Sequence, residues 1–209
     1  MKIAFCGCSW VSSVNRSHGD YDKMWQNIIA KELKATAMIY GKPGSTNTKI
    51  YTQVEQGLRD RCDTFLVFLT SPYRFNVAWK GKKWTIENNF QDGICEVVNR
   101  GSKSDYWDYI GKYYSADIEV LNGHIITEAI YHKLSMSGKK FLIFRNAFKE
   151  HILKDSKVFK QDKIIQWGPY QLYSKKTPQY KSEKIVNHLS LEGNLVASNK
   201  LIGYINDNL

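Results

Sequence analysis

No stretch of this chain approaches the roughly 18–20 consecutive apolar residues needed to cross a bilayer, which excludes a transmembrane helix. The opening, MKIAFCGCSW, offers one Lys and four apolar residues, Ile3 to Cys6, ahead of Gly7. That is too short for the apolar region of a secretion signal, so the expected location is a cytoplasm. Cysteine is scarce, with four residues at positions 6, 8, 62 and 95. Cys6 and Cys8 stand two apart and lack the geometry to bridge each other. No second closely spaced pair and no nearby His completes a zinc site, so all four are expected as reduced, mostly buried thiols. The sequence has no internal repeat and no low-complexity linker, and residues 1–209 are read as one domain.

The 209 residues are 43% hydrophobic, ample for a packed core and unlike a disordered chain. Thirty Lys and Arg against 20 Asp and Glu give a formal net charge of +10. Lysine forms small knots, the first of them Lys80-Gly81-Lys82-Lys83, interleaved with Tyr73, Arg74, Phe75, Trp79 and Trp84. Charge and stacking there suit a nucleic-acid strand or an acidic glycan; the plainer reading is a solvated loop on a lysine-rich protein.

Apolar patterning sets the order of elements. Lys2 to Cys6, Ala35 to Tyr40, Thr64 to Leu69 and Lys140 to Phe144 read as short strands, the third and fourth unalternating and so covered on both faces. Helical spacing marks Tyr21 to Leu33, Thr48 to Leu58, Ile118 to Leu134 and Leu191 to Tyr204. In the last helix Leu191, Leu195, Val196, Leu201 and Ile202 form the expected apolar face, with Ser190 as N-cap. Strand and helix alternate, which predicts a three-layer α/β/α sandwich with a mostly parallel, flavodoxin-like sheet. An irregular excursion covers about 71–115, and 149–182 is irregular and lysine-rich. In open α/β sheets function gathers at the carboxyl ends of the strands.

Three segments there carry candidate chemistry. Gly7-Cys8-Ser9-Trp10 leaves the first strand and exposes Ser9 where a nucleophile is useful. In Pro43-Gly44-Ser45-Thr46-Asn47, Gly44 allows close backbone approach, and its N–H with the Asn47 amide can face an oxyanion. The same residues equally suit a turn and a helix cap, the favoured reading of the loop by itself. His188 lies just ahead of the last helix, with a pKa range suited to a general base or to an ordinary surface His. His124, Glu128 and His132 recur at four-residue spacing on one helix; the apolar residues between them suggest a solvent-facing set rather than a metal site.

Taken together these blocks resemble the SGNH (GDSL-type) hydrolase superfamily, and in particular the short SGNH-like proteins of tailed bacteriophages. Gly7-Cys8-Ser9-Trp10 resembles the first block, with Cys8 in the Asp place. Gly44 corresponds to the oxyanion glycine, Thr70-Ser71-Pro72-Tyr73-Arg74 to the third block, and His188-Leu189-Ser190-Leu191-Glu192-Gly193 to the last. The chain departs from the family pattern at Ser71, where Asn is usual, and at Ile185 and Val186, where an Asp normally precedes the His. Asn187, Glu183 or a backbone carbonyl is left to orient the imidazole.

The resemblance implies a serine esterase, deacetylases included, with Ser9 as nucleophile and His188 as base. Oxyanion donors would come from Ser9, Gly44, Asn47 and Ser71, and substrate contacts from Trp10, Tyr73, Arg74, Lys82 and Trp84. Its substrate would be an acylated small molecule or glycan, no cofactor is required, and a phage protein would reside in the host cytoplasm or the virion. The alternative is a catalytically silent protein of this fold that binds nucleic acid or another anion through the basic-aromatic segment.

Overall fold

The computed structural model describes residues 1–12, 21–43, 45–70, 116–145, 160–167, 169 and 189–209. Five strands occur among them: β1 (Lys2–Cys6), β2 (Thr36–Ile39), β3 (Thr64–Phe68), β4 (Lys140–Phe144) and β5 (Ile164–Ile165). Four α-helices accompany them: α1 (Trp25–Glu32), α2 (Asn47–Arg59), α3 (Ala116–Met136) and α4 (Leu191–Asn208). A short 3-10 turn, Tyr21–Lys23, leads into α1.

The strands form one sheet in the order β2-β1-β3-β4-β5, every pair parallel. Register is fixed by pairings such as Phe5 with Ile39, Phe5 with Leu66 and Leu66 with Leu142. Successive side chains on a strand point to opposite faces, and both faces here are apolar. Ile3, Phe5, Leu66, Phe68, Leu142 and Phe144 pack with Trp25 and Ile29 of α1 and with Ala197, Leu201 and Ile205 of α4. Ala4, Cys6, Phe65, Val67, Phe141 and Ile143 pack with Ile50 and Val54 of α2 and with Ile130 and Leu134 of α3. The expected three-layer α/β/α architecture is therefore present, and the chain order reverses at β1, between its neighbours β2 and β3.

Trp25 anchors the first layer. Its ring meets Phe5 edge-on at 5.7 Å and Phe68 at 4.9 Å, while Phe68 stacks on Phe144 at 4.5 Å. Such aromatic contacts add roughly 0.5–1.5 kcal/mol each beyond area burial.

Two expectations about helix faces are corrected. Leu191 and Leu195 are about half exposed, at 50% and 51%. Leu201 of the expected face is fully buried and Ile202 packs against the core, and the buried residues of α4 also include Gly193, Ala197 and Ile205. On α3, His124 is 2% exposed rather than solvent-facing, whereas His132 is exposed. Each four-residue step turns the direction by roughly 40° along an α-helix, so the three side chains do not share one environment. Among the described residues no His, Cys, Asp and Glu cluster could hold a metal ion. The described cysteines, Cys6, Cys8 and Cys62, are buried free thiols. Burial pushes the Cys6 thiol well above its usual range, with Cys62 nearby adding to the rise. Among the described residues no helix is long and apolar enough to cross a membrane.

Candidate active site

The carboxyl edge of β1 continues directly into a tight turn. Val11 and Ser12 both donate from their main-chain N–H to the Cys8 carbonyl, at 2.9 and 3.1 Å, and put Ser9 and Trp10 at the tip. Cys8 is 5% exposed and packs inward, as its small apolar character suggests. Ser9 and Trp10 are half-buried. The turn is compact because Gly7 and Gly41 clasp Val11 between them. A Cβ on Gly7 would lie 2.4 Å from Val11 Cγ2, and one on Gly41 would lie 2.8 Å from the Val11 main-chain carbon.

From the α2 side, Gln53 reaches up to the turn. Its Oε1 accepts from Gly7 N–H at 2.7 Å, and its Nε2 donates to the Gly7 carbonyl at 3.1 Å and to Ser45 Oγ at 3.1 Å. Ser45 Oγ in turn donates to the Lys42 carbonyl at 2.9 Å. Thr46 caps α2, its side chain accepting from Lys49 N–H at 3.2 Å, so the cap reading of this loop holds at Thr46.

Asn47 is 3% exposed. Its Oδ1 accepts from Thr70 N–H at 2.9 Å and its Nδ2 donates to the Thr70 carbonyl at 3.2 Å. Both ends of the amide thereby brace Thr70, in the segment that leaves β3.

From the other face, α1 and α4 hold the turn. Trp25 Nε1 donates to the Trp10 carbonyl at 3.3 Å, and Gln26 Nε2 donates to the Val11 carbonyl at 2.9 Å. Asn194 Oδ1 accepts from Trp25 N–H at 3.1 Å. A small cleft results, lined by Ser9, Ser12, Met24, Trp25, Leu189 and Asn194. Leu189 directly follows His188 in the chain.

Of the residues singled out in the sequence, the structure thus gathers Ser9 and Trp10 at the cleft, with Asn47 supporting the neighbouring loop. His188, Gly44, Ser71, Tyr73, Arg74, Lys82 and Trp84 lie outside the described residues, as do Cys95, Glu183 and Asn187. Gln53, Gln26 and Asn194 carry no motif and were legible in the sequence only as polar residues within helical segments. Arg145, directly after β4, is likewise unmarked in sequence; it is 8% exposed, and burial draws its guanidinium pKa down to about 10.

No protein-family model matches the chain, and no curated protein matches it either. Solved structures do. A protein placed in the lipolytic G-D-S-L family from Desulfitobacterium hafniense superposes with a TM-score of 0.59 at 12% identity, over 97% of this chain and 98% of that one. The psychrotrophic esterase EstA from Pseudoalteromonas gives 0.58 at 8% identity, over 99% and 97%. TesA gives 0.58 at 9% identity, over the full length of both chains. The chain therefore has the α/β fold shared by these G-D-S-L and esterase structures.

Proposed function

We propose that this chain is a serine ester hydrolase of the SGNH type. The observation that carries the reading is that Ser9, at the tip of the turn leaving β1, lines one cleft with Leu189, the residue directly after His188. The cleft lies at the carboxyl edge of a parallel sheet beside the strand where chain order reverses, the usual place for a site in such folds. The motif blocks and the shared fold support the same reading.

In this mechanism His188 takes the Ser9 hydroxyl proton as Oγ attacks the ester carbonyl. The N–H groups of Ser9 and Gly44, with Ser71, hold the developing oxyanion. The alcohol leaves with the proton returned by His188. Water, activated by the same imidazole, then attacks the acyl-enzyme to release the acid and restore Ser9. Asn187, Glu183 or a main-chain carbonyl orients His188, and Asn47 holds Thr70, the first residue of the third block. Trp10, Tyr73, Arg74, Lys82 and Trp84 are assigned to an acylated small molecule or glycan, with deacetylation included in this chemistry. A host cytoplasm or virion is the compartment implied by the phage-like blocks.

A fluorophosphonate probe followed by peptide mass spectrometry tests this without knowledge of the substrate. Modification at Ser9, lost in Ser9→Ala and His188→Ala, is the expected result. A folded sample that takes up no probe overturns it. The net charge of +10 then favours an anion-binding protein, for which retention on nucleic acid should fall steeply as salt rises.

A further inference from the structure

Helix α1 begins without a cap of its own. Met24 occupies the N-cap position and makes no side-chain bond to the helix. Apolar residues are poor caps, because they leave the first main-chain N–H groups unsatisfied. Here Asn194 of α4, 169 residues away, supplies the missing acceptor: its Oδ1 receives Trp25 N–H at 3.1 Å. The other end of the same amide turns to the start of its own helix. Asn194 Nδ2 donates to the Ser190 carbonyl at 2.9 Å and, at longer range, to the Leu189 carbonyl at 3.4 Å.

One side chain thus bonds two segments that the proposed chemistry must hold in register. Through Trp25 it reaches the serine turn, because the Trp25 indole holds the Trp10 carbonyl at 3.3 Å. Through its Nδ2 it grips the two residues that follow His188. Asn194 also lines the cleft beside Ser9. A carboxamide suits the arrangement, since it offers an acceptor on one atom and a donor on the other, whereas a carboxylate lacks the donor.

We infer that Asn194 is a positioning residue, which fixes the serine turn and the segment following His188 relative to each other. The inference rests on the serine-hydrolase reading for its catalytic meaning, but the coupling itself does not. The distinction matters because a small misplacement between nucleophile and base costs far more rate than binding.

The test combines probe kinetics with hydrogen exchange on the full chain. Asn194→Ala should lower the maximal inactivation rate by fluorophosphonate by about ten-fold or more while the probe concentration for half-maximal rate stays within about two-fold. Amide exchange should quicken both in 7–12 and in 189–193, two segments far apart in sequence. Asn194→Asp retains an acceptor for Trp25 N–H but has no donor for the two carbonyls, so 189–193 should loosen while the Trp25 amide stays protected. Faster exchange confined to 189–193 in Asn194→Ala, or an unchanged inactivation rate, would overturn the inference. If the wild-type chain takes up no probe, the hydrolase reading and the catalytic meaning fail together; exchange in 7–12 then decides the coupling alone.

Discussion

Gln53 and Gly7 form a closed two-bond ring, the carboxamide accepting from the glycine N–H at 2.7 Å and donating to its carbonyl at 3.1 Å. A helix side chain here stands in for a neighbouring strand at the point where β1 ends. It satisfies the buried Gly7 N–H and adds a second donor to the Gly7 carbonyl, which also accepts from Lys42 N–H at 3.2 Å.

Gln53→Met keeps much of the volume and removes both bonds. The buried Gly7 N–H loses its partner, while the Gly7 carbonyl keeps the Lys42 N–H at 3.2 Å, and the expected loss of stability is about 1–3 kcal/mol. Urea denaturation measures it, and probe labelling at Ser9 should slow in the folded variant. An unchanged urea midpoint would show that the ring is dispensable.

The glycine clasp on Val11 makes a sharper prediction. Gly7→Ala meets chiefly the Val11 side chain, whereas Gly41→Ala also meets the Val11 main-chain carbon at 2.8 Å. Each should destabilise by about 1–3 kcal/mol. Adding Val11→Ala should recover part of the loss in the Gly7 variant and little in the Gly41 variant. A double-mutant cycle by thermal unfolding reads the difference.

Helices α1 and α2 end on non-glycine residues in left-handed backbone, Lys34 at φ 49° and Arg61 at φ 57°. Side chains pay for that conformation through contact of Cβ with the following main chain, and glycine does not. Arg61→Gly should therefore stabilise the protein by about 0.5–1 kcal/mol, read as a rise in the melting temperature. A fall would mean that the Arg61 side chain contributes more than its backbone costs.

Tyr40 donates to Asp60 Oδ2 at 2.7 Å and lies 3.5 Å from Cys62 Sγ. Burial first, then these hydrogen bonds and the negative charge of Asp60, push its phenol well above the usual range. An unfolded tyrosine releases its proton near pH 10, so above that value unfolding releases a proton that folded Tyr40 retains. The stabilisation is complete below about pH 10 and is lost as pH rises toward the folded value. Urea midpoints of wild type and Tyr40→Phe should therefore converge above pH 10, with wild type the more stable at neutral pH. Parallel curves across that range would refute the assignment.

Local pattern carried much of this fold. Strand β4 runs over the residues that its apolar run marks, and α2, α3 and α4 extend the helical periods by a few residues at most. Strand β5 was hidden because Ile164 and Ile165 are a strand only through pairing with Ile143 and Phe144. Two apolar residues in a lysine-rich stretch have no period of their own. The α4 face departs from its period only at its N-terminal end, since Leu201 is buried and Ile202 packs on the core as expected. Leu191 and Leu195 follow the helical period, yet the buried residues on this turn of α4 are Gly193 and Ala197, with Ala197 in the core cluster that holds Trp25 and Ile29 of α1.

The sequence by itself determined the layered α/β plan, the helix caps at Thr46 and Ser190, and the placing of Ser9 just beyond a buried strand. These depend on residues within a few positions of one another, where periodicity and turn chemistry act. Tertiary structure alone decided that Gln53 holds Gly7, that Asn47 holds Thr70, and that Asn194 caps a helix 169 residues away. In sequence such amides are indistinguishable from solvent-facing helix residues. Each acquires its role only when folding brings a buried main-chain group to it, and that group must then be satisfied.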